Sequence, residues 1–400
     1  MELVYRSLVR DTLLPSDPVV VGNAALAAMA VPGAALPTDF GSDVERDGHR
    51  LAQQLPGDGP WWHVFRAMAH ACDKPHTGLM DAAGGAAMGA LMNGRPVANP
   101  GFALWRQADG RLAVADLDDR GSARRSGLRL GDLVEAVDGL PPRPSGLDIL
   151  QFHAAPAGRR FALQIDRLGQ RLEVDLELLA GDVPVVTRRM LVGSVGYLNL
   201  RWFASASDED GDTAAAVRSG LSAFTSEGAS GVVIDLRAGV GGDLRAVIGI
   251  LSALCDATTV VAVMNPQGEP VEYSRDSDRI WPDLPVAVLI NEQSTSAAEC
   301  LAIGLEEWLG AALVGTPTSG GLNSLRFVEL ADGYRLALPA TPGLGPRSLA
   351  ARPGHRLEPT LAVPNPTAAD ISAGVDAQLE TARRWIAAAG AKRQPRTRHT

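Results

Sequence analysis

Lysine is almost missing from this chain of 400 residues: Lys74 and Lys392 are the only two, against 35 arginines. A mechanism that needs a lysine base has only those positions to draw on, and arginine, charged at every working pH, cannot stand in. Cysteine is nearly as scarce. Cys72, Cys255 and Cys300 are widely spaced and odd in number, so they define neither a disulfide framework nor a C-x-x-C metal site. Cys300 falls on the inner side of an expected helix, a core position. A basic surplus is also absent. The net charge of −9 argues against nucleic acid as the main partner, because phosphate binding draws on basic surface. The one basic cluster, Lys392 to His399, reads as a solvated terminal tail. No run approaches the ~20 apolar residues of a membrane helix. The N-terminus carries Glu2 and lacks the apolar core of a signal peptide, and Val19 to Val31 is flanked by Asp11, Asp17 and prolines. The expectation is a cytoplasmic protein with no membrane span.

What is present is ordinary soluble composition, 46% hydrophobic and 21% charged, in a chain long enough for two or three domains. Residues 1 to about 98 are rich in Ala, Gly and Leu and mostly helical in pattern, with Gly84 to Met92 as a flexible or closely packed connector. From about 99 to 180 short strands follow. Leu112–Ala115 is one, and Phe161–Ile165 and Leu172–Leu176 alternate at period two. From about 184 strands alternate with helices: Val195–Leu200, a helix over Thr213–Phe224, Gly231–Arg237, a helix over Leu244–Leu254, Val260–Met264 and Leu284–Ile290. This alternation implies a largely parallel sheet covered by helices. A last helix spans about Ala368 to Ala389.

Three segments carry candidate chemistry at the carboxyl ends of that sheet, where such folds place their sites. In Asn291-Glu-Gln-Ser-Thr-Ser-Ala-Ala-Glu299, a small-residue turn joins an apolar strand to a helix whose inner face is Ala297, Leu301, Gly304, Leu305 and Trp308, with Glu299, Glu306 and Glu307 on other faces. Ser296 sits where free backbone N–H groups and the positive end of the helix dipole meet. That suits a nucleophile whose substrate becomes an oxyanion, and it equally suits a plain N-cap. Asp235-Leu-Arg-Ala-Gly-Val-Gly-Gly242 runs a strand into a turn whose glycines bare the backbone to a ligand. It lacks the lysine of a P-loop and the spacing of a dinucleotide fingerprint. Gly315-Thr-Pro-Thr-Ser-Gly-Gly-Leu-Asn323 is the third.

Together, Asp-Leu-Arg-x-x-x-Gly-Gly, Ser-x-Ser-Ala-Ala-Glu and Val-Gly-x-Pro-Thr-x-Gly resemble the tail-specific, or C-terminal-processing, serine peptidases, in order and spacing over roughly residues 190 to 365. Leu357 to Val363 is similar to the family's closing segment. Gly121 to Gly139 resembles the PDZ domain these enzymes carry, and Gly101-Phe102-Ala103-Leu104 its carboxylate-binding loop. The resemblance implies an α/β fold: a crotonase/ClpP-like peptidase core with an inserted PDZ-like β domain and an N-terminal helical region. The implied domains are an N-terminal region over 1–98, a PDZ-like domain over 99–183, a peptidase core over 184–366, and a C-terminal helix and basic tail over 367–400. It implies Ser296 as nucleophile, an oxyanion hole of backbone N–H groups from Gly241, Gly242 and Ala297, peptide-carboxylate binding at Gly101, Phe102, Ala103 and Leu104, no metal and no cofactor. The partners are peptides or proteins with free C-termini, and oligomerisation is left open.

The departure is at the base. The bacterial members use a lysine from the glycine loop, at the position that is Gly321 here, so a Ser–Lys dyad of the usual kind is excluded. His76, in Cys72-Asp-Lys-Pro-His-Thr-Gly78, resembles the histidine of the tricorn-like branch, and its ordinary pKa of ~6.5 fits general-base work near neutrality. His355 and Lys74 are the reserve candidates, and no acid that would orient His76 is identifiable. Two further readings stay open: a pseudo-peptidase that binds peptides or apolar ligands, and another serine acyl hydrolase on the same fold.

Overall fold

The computed structural model describes all residues except 13–14, 30–35, 54–61, 73–75, 93–99, 140, 143–151, 153–154, 180–182, 206–211, 265–268, 343–355 and 394–400. The N-terminal part forms helices α1 (Glu2–Val9), α2 (Pro18–Met29), α3 (Val44–Gln53) and α4 (Trp62–Ala71), then strand β1 (Gly78–Met80) and helix α5 (Ala82–Met92). The stretch expected as a connector over Gly84–Met92 is therefore helical. Its small residues let the helix lie close to Arg335, whose side chain a Cβ on Gly85 would meet at 3.1 Å.

A five-stranded antiparallel sheet follows, β2 (Ala103–Arg106), β3 (Leu112–Ala115), β4 (Leu133–Val137), β5 (Arg160–Arg167) and β6 (Gln170–Glu177), with the short helix α6 (Ser122–Arg125) before β4. Strict alternation buries Phe161, Leu163 and Ile165 on one face of β5, the period-two signature of a one-sided sheet. Leu168 and Gly169 both have positive φ, as the tight hairpin between β5 and β6 requires.

The core is a six-stranded sheet in the order β16-β13-β12-β9-β8-β7, built from β7 (Val186–Leu191), β8 (Val195–Leu200), β9 (Gly231–Asp235), β12 (Val286–Ile290), β13 (Ala312–Gly315) and β16 (Leu361–Ala362). All pairs are parallel except β7 with β8. One face, through Val232, Ile234, Val288 and Ile290, packs on α7 (Thr213–Ser226), α8 (Leu244–Leu254) and α9 (Ala297–Leu309). The other, through Val233, Ala287 and Leu289, packs on Ala382 and Ile386 of the C-terminal helix. Both faces are buried, hence the continuous apolar strands of the sequence. Asp212 and Asp243 cap α7 and α8, their carboxylates accepting Ala215 N–H at 2.8 Å and Arg245 N–H at 2.9 Å, the usual treatment of orphan donors.

Two expectations need correction. Val260 lies in β10 (Thr259–Met264), but this strand pairs only with the exposed β11 (Pro270–Ser274), outside the main sheet. The single C-terminal helix is two, α10 (Ala368–Ala373) and α11 (Ala377–Arg393), because Gly374 takes a left-handed C-cap with φ 70°. Finally, β1, β14 (Asn323–Glu329) and β15 (Arg335–Pro342) form a small antiparallel sheet with β15 central. Leu336 and Leu338 face the N-terminal helices while Ala337 faces the β domain. This sheet carries the segment after His76 to the end of the glycine loop. No helix among the described residues is long and apolar enough to cross a membrane.

Candidate active site

The loops after β9, β12 and β13 meet at one end of the parallel sheet. The β12–α9 loop is held in place at Ser294 and Thr295, while Asn291 Nδ2 and Gln293 Nε2 are buried without a partner among the described residues. Ser294, fully buried, donates its hydroxyl to Leu236 O at 2.8 Å and accepts Asn291 N–H at 3.1 Å. Thr295 N–H bonds Gly239 O at 3.1 Å, locking this loop to the glycine turn. Ser296 differs from both. It is partly exposed, and its φ of 56° and ψ of −118° lie where side-chain-bearing residues rarely sit. It forms a capping box with Glu299, its side chain turned to the Glu299 backbone while the Glu299 carboxylate accepts Ser296 N–H. Such strain persists only where surrounding contacts over-determine it, and a serine held on a sharp strand-to-helix turn presents its Oγ outward. Ser296 therefore caps its helix, and the strain and exposure are features that capping alone does not require.

The glycine turn lies directly against this serine. Gly241 and Gly242 have φ 92° and 140°, and a Cβ on Gly241 would come within 2.8 Å of Ser296 Cβ. The N–H groups of Gly241, Gly242 and Ala297 have no hydrogen-bond acceptor among the described residues. Three unused donors beside a serine hydroxyl are what a developing oxyanion would need. Gly241→Ala keeps its N–H, but its Cβ would strike Ser296 Cβ at a φ of 92° and push the donors out of line. So kcat should fall by about 10²–10³, the scale of one donor, with an unchanged far-UV circular dichroism spectrum.

Glu299 was expected on an outer face of its helix; it is fully buried. Its carboxylate accepts Ser296 N–H at 2.9 Å, the Thr318 hydroxyl at 2.5 Å and Gly320 N–H at 2.9 Å. Burial raises its pKa to about 7 against the opposing pull of these donors. Glu299 thus clamps the Ser296 turn to the glycine loop, a role that helical periodicity could not reveal. At Gly321 the space is filled: a Cβ there would lie 2.3 Å from Thr295 Oγ1. That hydroxyl is bonded to Ser319 Oγ at 2.6 Å.

His76 is brought to the same loop. It is buried with a positive φ of 64°, and its ring is hydrogen-bonded to the backbone of Asn323 while Nδ1 is buried without a partner. Asn323 N–H in turn bonds Gly321 O at 2.8 Å. No hydrogen bond joins His76 to Ser296, and no carboxylate contacts the ring, among the described residues. Burial lowers the pKa of His76 to about 4, against the raising effect of the Asn323 backbone. The reserve candidates Lys74 and His355 lie outside the described residues, as does Asp73.

The glycine turn is anchored from below by Arg237, which is 1% exposed. Its guanidinium pairs with Asp235 at 2.6 Å and Asp376 at 2.8 Å, bonds Gln378 at 2.9 Å, and lies 4.3 Å from the centre of the Trp105 ring in β2. Burial works against the Asp376 carboxylate, but Arg237 holds it below its ordinary range. Nearby, Arg106 N–H of β2 donates to Glu292 at 2.6 Å, and Arg201 pairs with Asp116 at 2.8 Å. The β domain is thereby fastened to the core. Gly101, Phe102, Ala103 and Leu104 are all buried at this junction, and Gly101 has φ 74° with its carbonyl accepting Asp118 N–H at 2.8 Å.

A strained serine at a strand-to-helix turn beside unused backbone donors is the arrangement that acyl-transfer chemistry at a serine requires. Residues 194–361 match the family model described as peptidase family S41. The chain is 30% identical over 224 residues to a carboxyl-terminal-processing protease of Synechocystis sp., covering 54% of this chain and 51% of that one. It is 26% identical over 301 residues to a chloroplastic C-terminal processing peptidase of Tetradesmus obliquus, covering 69% and 62%. The chain thus spans about half to three-fifths of the length of these relatives. Among solved structures, the photosystem II D1 C-terminal processing protease superposes with a TM-score of 0.54 at 22% identity, covering 86% of this chain and 93% of that one. Mature CPAF superposes with 0.52 at 15% identity, covering 97% of each. These two likenesses establish the shared fold.

Proposed function

We propose that the chain is a serine endopeptidase in which Ser296 attacks the peptide carbonyl and His76, not a lysine, takes and returns the proton. The observation that carries the reading is the partly exposed Ser296 on a strained turn beside the N–H groups of Gly241, Gly242 and Ala297, which have no acceptor among the described residues. Attack forms the Oγ–C bond and passes the hydroxyl proton to the imidazole, while the carbonyl oxygen takes negative charge against those donors. Collapse breaks the C–N bond, the leaving amine takes the proton, and water then hydrolyses the acyl-enzyme by the same steps. A ring nitrogen that donates to the Asn323 carbonyl leaves the lone pair on Nδ1, the buried nitrogen without a partner. That carbonyl would orient the ring where related chemistry uses a carboxylate, as the tricorn-like reading requires. The five-stranded domain, read as PDZ-like, would take substrate C-termini through Gly101, Phe102, Ala103 and Leu104, backbone N–H groups capping the carboxylate.

The pH dependence follows from the lowered base. A general base works when unprotonated, so the acidic limb of kcat/KM should fall near pH 4 rather than near 6.5, since His76 is pushed down to about 4. An inflection near 7 that disappears in Glu299→Gln would belong to Glu299, whose pKa is about 7. A single limb above pH 8 would point to lysine and sink the assignment. The direct test is a fluorophosphonate probe on wild type, Ser296→Ala and His76→Ala. The absence of a His76–Ser296 hydrogen bond and of an acid at the ring favours one rival, a binding-only relative of the peptidases. An unlabelled wild type would establish it.

A further inference from the structure

Beside strand β1, a cleft of about 240 Å³ opens between the N-terminal helices and the β domain, lined among others by Trp62, Arg66, Leu79, Arg159, Phe161 and Tyr334. It shares no residue with the nucleophile turn, the glycine loop or the Gly101–Leu104 segment. Its walls are aromatic: Trp62 and Tyr334 lie nearly parallel, 10° apart with centroids at 6.4 Å, and the Arg159 guanidinium sits 5.3 Å from the centre of Phe161. The charge is lopsided. Two arginines line the cleft against one carboxylate, Asp81, and that carboxylate is already paired with Arg159 at 3.1 Å. Arg66 reaches only Asp138, outside the lining, at 3.9 Å. In a chain of net charge −9, this is a place built to meet a negative group next to apolar surface.

Its position supplies the rest of the argument. Strand β1 is the edge of the small sheet, paired on one side with β15 and with no strand among the described residues on the other, the position at which a peptide adds as a strand. Leu79 and Met80 stand three and four residues after His76 in the sequence, about 10–13 Å along an extended backbone. A peptide laid against β1 would run from the cleft toward His76.

Taking the peptidase reading as its basis, we propose that this cleft is a substrate subsite. It takes a large apolar or aromatic side chain of an extended peptide, held against β1, with an adjoining carboxylate on Arg66. The carboxylate comes either from the peptide C-terminus or from a neighbouring acidic side chain, and the two sources share the same chemistry at the arginine.

The test is binding of a fluorescein-labelled octapeptide with Phe beside a C-terminal carboxylate to the full chain carrying Ser296→Ala, so that no turnover is involved. Adding Trp62→Ala or Arg66→Leu should each raise Kd about tenfold, with unchanged circular dichroism. Trp62→Ala should do so for the Phe peptide and not for its Gly counterpart. A preference for the acid over the amidated peptide that disappears in Arg66→Leu assigns the C-terminus to this cleft rather than to the Gly101–Leu104 loop. In a second, amidated peptide with Asp beside an internal Phe, binding that is lost on changing that Asp to Asn, and equally in Arg66→Leu, assigns the side chain. Parental Kd in both variants, or equal loss for Phe and Gly peptides, overturns the proposal. Failure of the peptidase reading is separately visible, as a wild type that neither hydrolyses peptide nor takes the fluorophosphonate label.

Discussion

Ser296→Ala should abolish fluorophosphonate labelling and lower peptide hydrolysis by at least about 10⁴-fold, leaving the fold intact. The size follows from the chemistry: without a nucleophile only the binding and donor terms remain, which in serine peptidases sustain a residual rate far below the intact machinery. Retention of the fold follows from the local structure. The Ser296 hydroxyl is one arm of a capping box, whose loss costs about 1 kcal/mol, and relief of the φ 56° strain is no larger for Ala than for Ser, so a change of Tm beyond a few degrees is not expected. Ser294→Ala supplies the contrast. That hydroxyl is buried and spans two loops, so its loss should appear as reduced stability, on the order of 1–3 kcal/mol. If Ser294→Ala alone lost the label, the nucleophile would have been misassigned.

Arg237→Ala should be the most destabilising single change at the site, on the order of 3–5 kcal/mol, because it leaves buried carboxylates unpaired. Asp235 and Asp376 both lose their cation, and Trp105 loses the guanidinium stacked over its ring. Equilibrium unfolding in urea should show a lower midpoint at similar slope. Arg237→Lys should recover only part of the loss, since an ammonium cannot serve Asp235, Asp376 and Gln378 while lying flat on an indole. A midpoint within 1 kcal/mol of wild type for Arg237→Ala, order of magnitude, would mean that water enters and satisfies both carboxylates.

Much of the peptidase core was legible because both faces of its sheet are buried. Strands such as Val286–Ile290 and helices such as Leu244–Leu254 carry an apolar signal that no other structure fits. The half-polar edge strand Val186–Leu191, with Thr187, Arg188 and Arg189 outward, gave no such signal. Val260–Met264 was legible as a strand but not as one outside the main sheet, because apolarity reports burial and not which neighbour provides it. The Ser296 turn and the glycine turn were visible as small residues at the end of strands. Glu299 was not, because its burial depends on the 318–321 loop folding over the first turn of α9. Nor was the depressed pKa of His76, which comes from burial and runs against the raising effect of the Asn323 backbone. Gly374 was a readable stop within the C-terminal helix, a glycine before Val375-Asp376, and was passed over.

The filled space at Gly321 makes two positions in this chain interdependent. A side chain of any length at 321 would strike Thr295 Oγ1, which its bond to Ser319 holds in place. Loss of the Thr295 hydroxyl alone would open a small hollow beside the nucleophile and provide no base. Neither step toward a lysine mechanism is useful without the other, so a route by single substitutions passes through a crowded or a hollowed site. Packing around Gly321, and not its residue type alone, thus bars a longer side chain from this loop.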